Sequence, residues 1–111
     1  LAKLPEAVFH AFVLGLLANL RYVYDIRSNT ESGLGRADIL MIPKTSMYPT
    51  GYVIEFKSIK PDEDIEVQAE AALLQIQEKQ YDVPVRSAVI SPDNVRHLAV
   101  ILQGKKVIVR E

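Results

Sequence analysis

The apolar residues of this 111-residue chain change their spacing at residue 21, and that change constrains the fold more than any other feature. Before it, Phe9, Phe12, Val13, Leu16, Leu17 and Leu20 recur three and four apart. They form one apolar face of a helix over roughly residues 5–20, with Pro5 in its first turn. From Arg21 to Arg27 the period shortens to two, Tyr22, Tyr24 and Ile26 alternating with Val23 and Asp25, which is the pattern of a strand. The chain is therefore read as mixed α and β.

Later segments extend that reading. Ser28 to Arg36 is polar, carries Gly33 and Gly35, and is expected to turn. A second strand runs from Ala37 to Ile42 and stops at Pro43; Lys44 to Gly51 connects it to a third, Tyr52 to Ile59. In that third strand Val53, Glu55, Lys57 and Ile59 share one face, and Ile54 and Phe56 the other. Pro61-Asp62-Glu63-Asp64 opens a helix, since acids suit a helix N-terminus, and the helix continues to about Gln80. Its buried stripe is expected at Ile65, Ala69, Ala72, Leu73 and Ile76. Tyr81 to Arg96, with Pro84 and Pro92, shows no period and reads mostly as loop. Two final strands, Leu98–Leu102 and Lys106–Arg110, flank a tight hairpin at Gln103-Gly104-Lys105. The order α-β-β-β-α-β-β predicts an α+β domain with one central mixed sheet flanked by helices.

Composition excludes several classes. Leu, Ile, Val and Phe make up 37 of 111 residues, too many for a disordered chain. The absence of cysteine removes disulfides, thiolate metal sites and a cysteine nucleophile, and is compatible with the cytoplasm. The longest apolar run, Ala7 to Leu20, contains His10, Gly15 and Asn19 and is too short for a bilayer span. It also lacks the basic start and cleavage site of a signal peptide. A first residue other than Met leads us to expect a single domain over 1–111 that is a piece of a longer protein.

The informative residues are the polar ones in the strands. Glu55 and Lys57 lie two apart, so they project from one face about 7 Å apart along the strand. Pairing of the second and third strands would bring Asp38 close to both. Two carboxylates and an ammonium on one side of a sheet describe a hard-cation site beside a group that orients water. The competing reading is a cross-strand salt bridge of Lys57 with Asp38 or Glu55 in a purely structural domain.

These residues also carry a resemblance. Gly35-Arg36-Ala37-Asp38, Glu55-Phe56-Lys57 and Gln75-Ile76 resemble the PD-(D/E)XK nuclease superfamily, with Ala37 where its name has proline. Glu6, Phe9-His10, Gly15-Leu16-Leu17, the run Ser28 to Asp38 and Ala72-Leu73 are similar to bacterial nuclease-like domains found C-terminal to AAA-ATPase-like regions. The resemblance implies a restriction-endonuclease-like core that cleaves DNA, or RNA, with Mg²⁺ or Mn²⁺. It implies Asp38 and Glu55 as metal ligands, the Phe56 carbonyl as a third and Glu6 as a further one. It implies Lys57 as the residue that positions water and stabilises charge on the phosphate, and Gln75 as completing the site. An upstream AAA-ATPase-like partner follows from the same likeness. A second expectation keeps the fold without the chemistry, as a nucleic-acid-binding or regulatory module.

The remaining candidates are weighed from their own chemistry. Glu31 and Arg36 organise the turn or meet phosphate, and Gly33 and Gly35 supply unusual backbone angles. His10 is expected to pair along the helix with Glu6, four residues back, and His97 receives no role. The net charge of −1 hides an uneven distribution: +2 over residues 1–60, −6 over 61–82 and +3 over 83–111. A phosphate-tracking surface is sought on Arg27, Arg36, Lys60, Arg86, Lys105 and Lys106, away from the acidic helix.

Overall fold

Apolar residues at helical spacing build α1 (Glu6–Leu17), which runs on through a 3-10 turn at Ala18–Leu20. The structure, a computed structural model, describes residues 6–28, 38–89 and 91–111. The strands are β1 (Tyr24–Ser28), β2 (Ile39–Pro43), β3 (Gly51–Ile59), β4 (Val95–Gln103) and β5 (Lys106–Arg110). Between β3 and β4 lie α2 (Ile65–Glu78) and the short α3 (Val83–Arg86).

The strands form one sheet in the order β1-β2-β3-β4-β5. β1, β2 and β3 are antiparallel neighbours, β4 runs parallel to β3, and β5 returns antiparallel to β4. A parallel pair needs a crossover, and the segment through α2 supplies it. This is the α+β architecture with a mixed sheet that the hydrophobic periods predict.

Strand alternation divides the core into two layers. Ile26, Ile39, Met41, Ile54 and Phe56 pack on one face against Phe9, Val13 and Leu17 of α1. On the other face Leu40, Ile42 and Val53 meet Ile76 of α2 and Val85 of α3. Ile59, Ala99 and Ile101 meet Ala69 and Ala72 of α2 there as well. α2 begins after Asp64, whose Oδ1 accepts the Val67 N–H at 3.0 Å, a side-chain cap for an otherwise orphaned donor. Ala69, Ala72 and Ile76 of its expected stripe are buried, while Ile65 and Leu73 lie at the edge of the core.

Segment boundaries differ where tertiary contacts decide them. Residues 82–96, expected as loop, contain α3 and a 3-10 turn at Pro92–Asn94, and β4 starts at Val95. Gly51 belongs to β3 rather than to the loop before it, and a side chain there would collide with Val85 and crowd the Met41 carbonyl. Glycine is what lets α3 press against the strand. No helix among the described residues is long and apolar enough to cross a membrane.

Candidate active site

The β2–β3 register brings the two strand carboxylates together. Ile39 lies opposite Ile54, so the residue before Ile39 stands beside Glu55. There Asp38 and Glu55 interlock through the backbone. The Asp38 N–H donates to Glu55 Oε1 at 2.9 Å, and the Phe56 N–H donates to Asp38 Oδ2 at 2.7 Å. Asp38 thus supplies with its side chain the acceptor that a further strand residue would have given Phe56. The N–H and C=O of a strand residue point to the same side. The Phe56 carbonyl therefore faces the Asp38 side as well.

Parity fixes the face. Asp38 shares its face with Leu40 and Ile42, and Glu55 with Val53, and these apolar residues pack toward α2 and α3. Glu55 is only 6% exposed, an unusual burial for a carboxylate in a strand. Lys57, two residues on, shares its face and is half-buried. Neither carboxylate lies within ion-pair distance of Lys57 among the described residues. The cross-strand salt bridge of the competing reading is therefore not formed.

Gln75 sits on α2 next to this face, and its Nε2 donates to the Tyr81 hydroxyl at 3.1 Å rather than to a carboxylate. Gln68 lies two helical turns earlier on the same side of α2 and is half-buried, a residue that sequence reading passed over. Arg27 is held by Asp25 across 3.1 Å, so its charge is already compensated. Lys60 is exposed just after β3, its N–H bound to Glu63 Oε2 at 2.8 Å. Glu31, Gly33, Gly35 and Arg36 lie outside the described residues, as does the side chain of Glu6.

Both histidines have partners that sequence reading did not find. His10 Nε2 is 2.8 Å from Ser28 Oγ, which ties α1 to the end of β1. His97 Nε2 is 2.9 Å from Asp82 Oδ2, and the other oxygen of Asp82 forms an ion pair with Arg86 Nε at 3.1 Å. Arg86 at four residues after Asp82 was a legible helical signal; His97, fifteen residues away, was not.

A family model described as the PD-(D/E)XK nuclease superfamily matches residues 4–111. No curated protein and no solved structure matches the chain.

Proposed function

Because the chain belongs to the PD-(D/E)XK nuclease superfamily, we propose that Asp38, Glu55 and Lys57 are the centre of a metal-dependent nuclease that hydrolyses phosphodiester bonds. DNA is the substrate we assign, with RNA as the other nucleic acid to test. The observation that carries this reading is the interlocked Asp38–Glu55 pair with Lys57 on the same face and bound to neither.

The donors fit a hard divalent cation. Asp38 has one oxygen engaged by the Phe56 N–H and, among the described residues, no protein partner on the other. The Phe56 carbonyl adds a neutral oxygen on that side. No cluster of three His, Cys, Asp or Glu side chains occurs among the described residues. Two carboxylates with the remaining positions left to water is the donor set Mg²⁺ favours, and Mn²⁺ accepts it too. Bound there, the cation would supply Lewis-acid charge and a more acidic water.

The chain's own groups do the rest. The backbone N–H of Phe56 fixes the Asp38 carboxylate, and the Asp38 N–H fixes that of Glu55, so neither must reorganise during reaction. Lys57 carries a positive charge beside them, where negative charge grows on the phosphate as water adds to phosphorus and the leaving oxygen departs. Gln75 gives one N–H to Tyr81 and keeps its amide oxygen and second N–H to orient substrate. In the intact protein an AAA-ATPase-like region upstream and a cytoplasmic setting complete the proposal.

The test is cleavage of supercoiled plasmid and of a labelled oligonucleotide with Mg²⁺, Mn²⁺ or chelator. Asp38→Asn keeps an acceptor for Phe56 but loses the charge. We expect metal-dependent cleavage by the wild type and its loss in Asp38→Asn at unchanged circular dichroism. Equal cleavage by both proteins would overturn the assignment. Absence of cleavage with retained oligonucleotide binding would favour the silent module, which the Gln75–Tyr81 bond also suits.

A further inference from the structure

The two flanks of α2 differ in charge and in what they face. Glu66, Glu70, Leu73 and Gln77 recur three and four apart on one of them. Glu66 reaches Arg110 of β5, and the other three line an open groove with Val95 and His97 of β4, so this flank lies toward β5. Ala69, Ala72 and Ile76 are buried beneath the helix. The other flank therefore looks toward β2, where Asp38 meets Glu55, and it carries Gln68, Ala71 and Gln75.

Packing sets the level of each residue. Ile59, at the end of β3, meets Ala69 and Ala72, whereas Val53, near its start, meets Ile76. α2 thus runs back along β3, with Gln75 beside the level of Val53 and Glu55 and Gln68 beside that of Lys57 and Ile59. Two turns separate the carboxamides, about 10 Å along the axis. Ala71 between them is exposed and adds only a methyl group.

Three observations converge on Gln68. It is half-buried, yet its side chain has no hydrogen-bond partner among the described residues, whereas Gln75 gives one N–H to Tyr81. A carboxamide with two donors and an acceptor is thus unengaged beside the site. Next, this flank carries no charge between Asp64 and Glu78, while Glu66 and Glu70 lie on the other. Finally, Lys57 and Lys60 stand at the same end of β3, and neither is in an ion pair among the described residues. An uncharged flank facing two ammonium groups admits an anionic chain that the acidic flank would repel. The path is short, since Asp64 closes it one turn before Gln68.

Resting on the nuclease reading, we propose that Gln68 binds the substrate. Its carboxamide donates to a backbone phosphate adjacent to the one at Asp38, Glu55 and Lys57. Such a contact positions the strand without reading its sequence.

Fluorescence anisotropy of the whole chain with labelled DNA oligonucleotides in chelator tests this with two matched substitutions. Gln68→Glu and Gln77→Glu each add one negative charge to α2, on opposite flanks. Gln68→Glu should weaken binding by about tenfold or more, the scale of a hydrogen bond to a charged group, and equally for oligonucleotides of unrelated sequence. Gln77→Glu should bind much as the wild type does. Gln68→Lys keeps a donor for phosphate and should bind at least as tightly, which separates a lost contact from a lost fold. In cleavage with Mg²⁺ the Gln68→Glu defect should lie in KM rather than kcat. Equal losses in the two glutamate variants, no loss in Gln68→Glu, weaker binding by Gln68→Lys, a loss confined to one sequence or a fall in kcat alone would each overturn the proposal. With metal-dependent cleavage by the wild type intact, those outcomes remove Gln68 and leave the nuclease reading standing. A wild type that neither binds nor cuts would sink both.

Discussion

Where α2, α3 and β5 meet β4, carboxylates face cations; where β2 meets β3, they face backbone N–H groups instead. Glu66 is gripped by Arg110 through two bonds of 3.0 and 2.8 Å, and Asp82 by Arg86 and His97. Asp38 and Glu55 have Lys57 on their own face, yet are held by Phe56 N–H and Asp38 N–H. The first arrangement neutralises charge and fastens elements together. The second leaves both carboxylates without an ion pair to Lys57, among the described residues, and the ammonium beside them. One chain with both arrangements shows that the absence of a Lys57 ion pair among the described residues is not for want of acids nearby.

The sharpest way to break that contrast is to remove the cation from one region and the anion from the other. Lys57→Met should lower metal-dependent cleavage by about a hundredfold or more, the usual loss of a group that stabilises transition-state charge. Its urea midpoint should hold or rise, because no ion pair among the described residues is lost and a half-buried charge disappears. A clear fall in stability would mean that Lys57 is structural after all.

Asp82→Ala should behave in the opposite way. The Asp82 side chain is 12% exposed and joins α3 to β4, so its loss should cost roughly 1–3 kcal/mol in urea unfolding. The figure stays below that of a fully buried pair because Arg86 and His97 both reach water. Cleavage activity should persist under conditions where the protein remains folded. Loss of activity without loss of stability would tie this cluster to the chemistry and erase the distinction.

The same contrast marks what a sequence makes legible. Glu55 and Lys57 could be placed on one face because strand alternation is local, and Asp38 joined them once β2 and β3 were read as neighbours. The Asp38–Phe56 bond could not be foreseen, since it depends on β2 beginning one residue after Asp38 and on the Asp38 side chain bending into the ladder. Residues 82–96 failed for a similar reason. Pro84 and Pro92 each open a short helical turn, a position that suits proline, but a four-residue helix has no apolar period to detect. Its place is set by Val85 under Gly51 and by Asp82 reaching His97.

A third test lies on the α1 side of the sheet, among tyrosines rather than ion pairs. Tyr24 is buried, donates its hydroxyl to the Thr50 carbonyl at 2.7 Å, and has Tyr48 and Tyr52 nearby. Burial, then the two neighbouring phenols, push its pKa above the ordinary 10.0. A raised pKa favours the neutral form in the folded state. The corresponding stability is therefore complete below pH 10 and is lost as pH rises through the folded value. Urea midpoints measured from pH 9 upward should fall less steeply in Tyr24→Phe than in the wild type. Identical slopes would remove Tyr24 as the source.

The smallest expected effect belongs to the best-formed ion pair. Hydrogen bonding from Arg110 lowers the Glu66 pKa below the ordinary 4.5, and Glu66 in turn raises that of Arg110. A depressed carboxylate contributes stability above its unfolded value and loses it as pH falls through the folded one, so the window lies below about pH 4.5. Both side chains are largely solvent-exposed, and an exposed pair is screened by salt. Arg110→Ala should leave the urea midpoint at pH 7 almost unmoved and flatten its fall in acid slightly, a difference that high salt should abolish. A large loss at pH 7 that survives high salt would show that Arg110 clamps β5 to α2 by packing of its stem rather than by charge. It would also show that on this flank fastening can come from packing alone, whereas Asp82 fastens through its ion pair in partial burial.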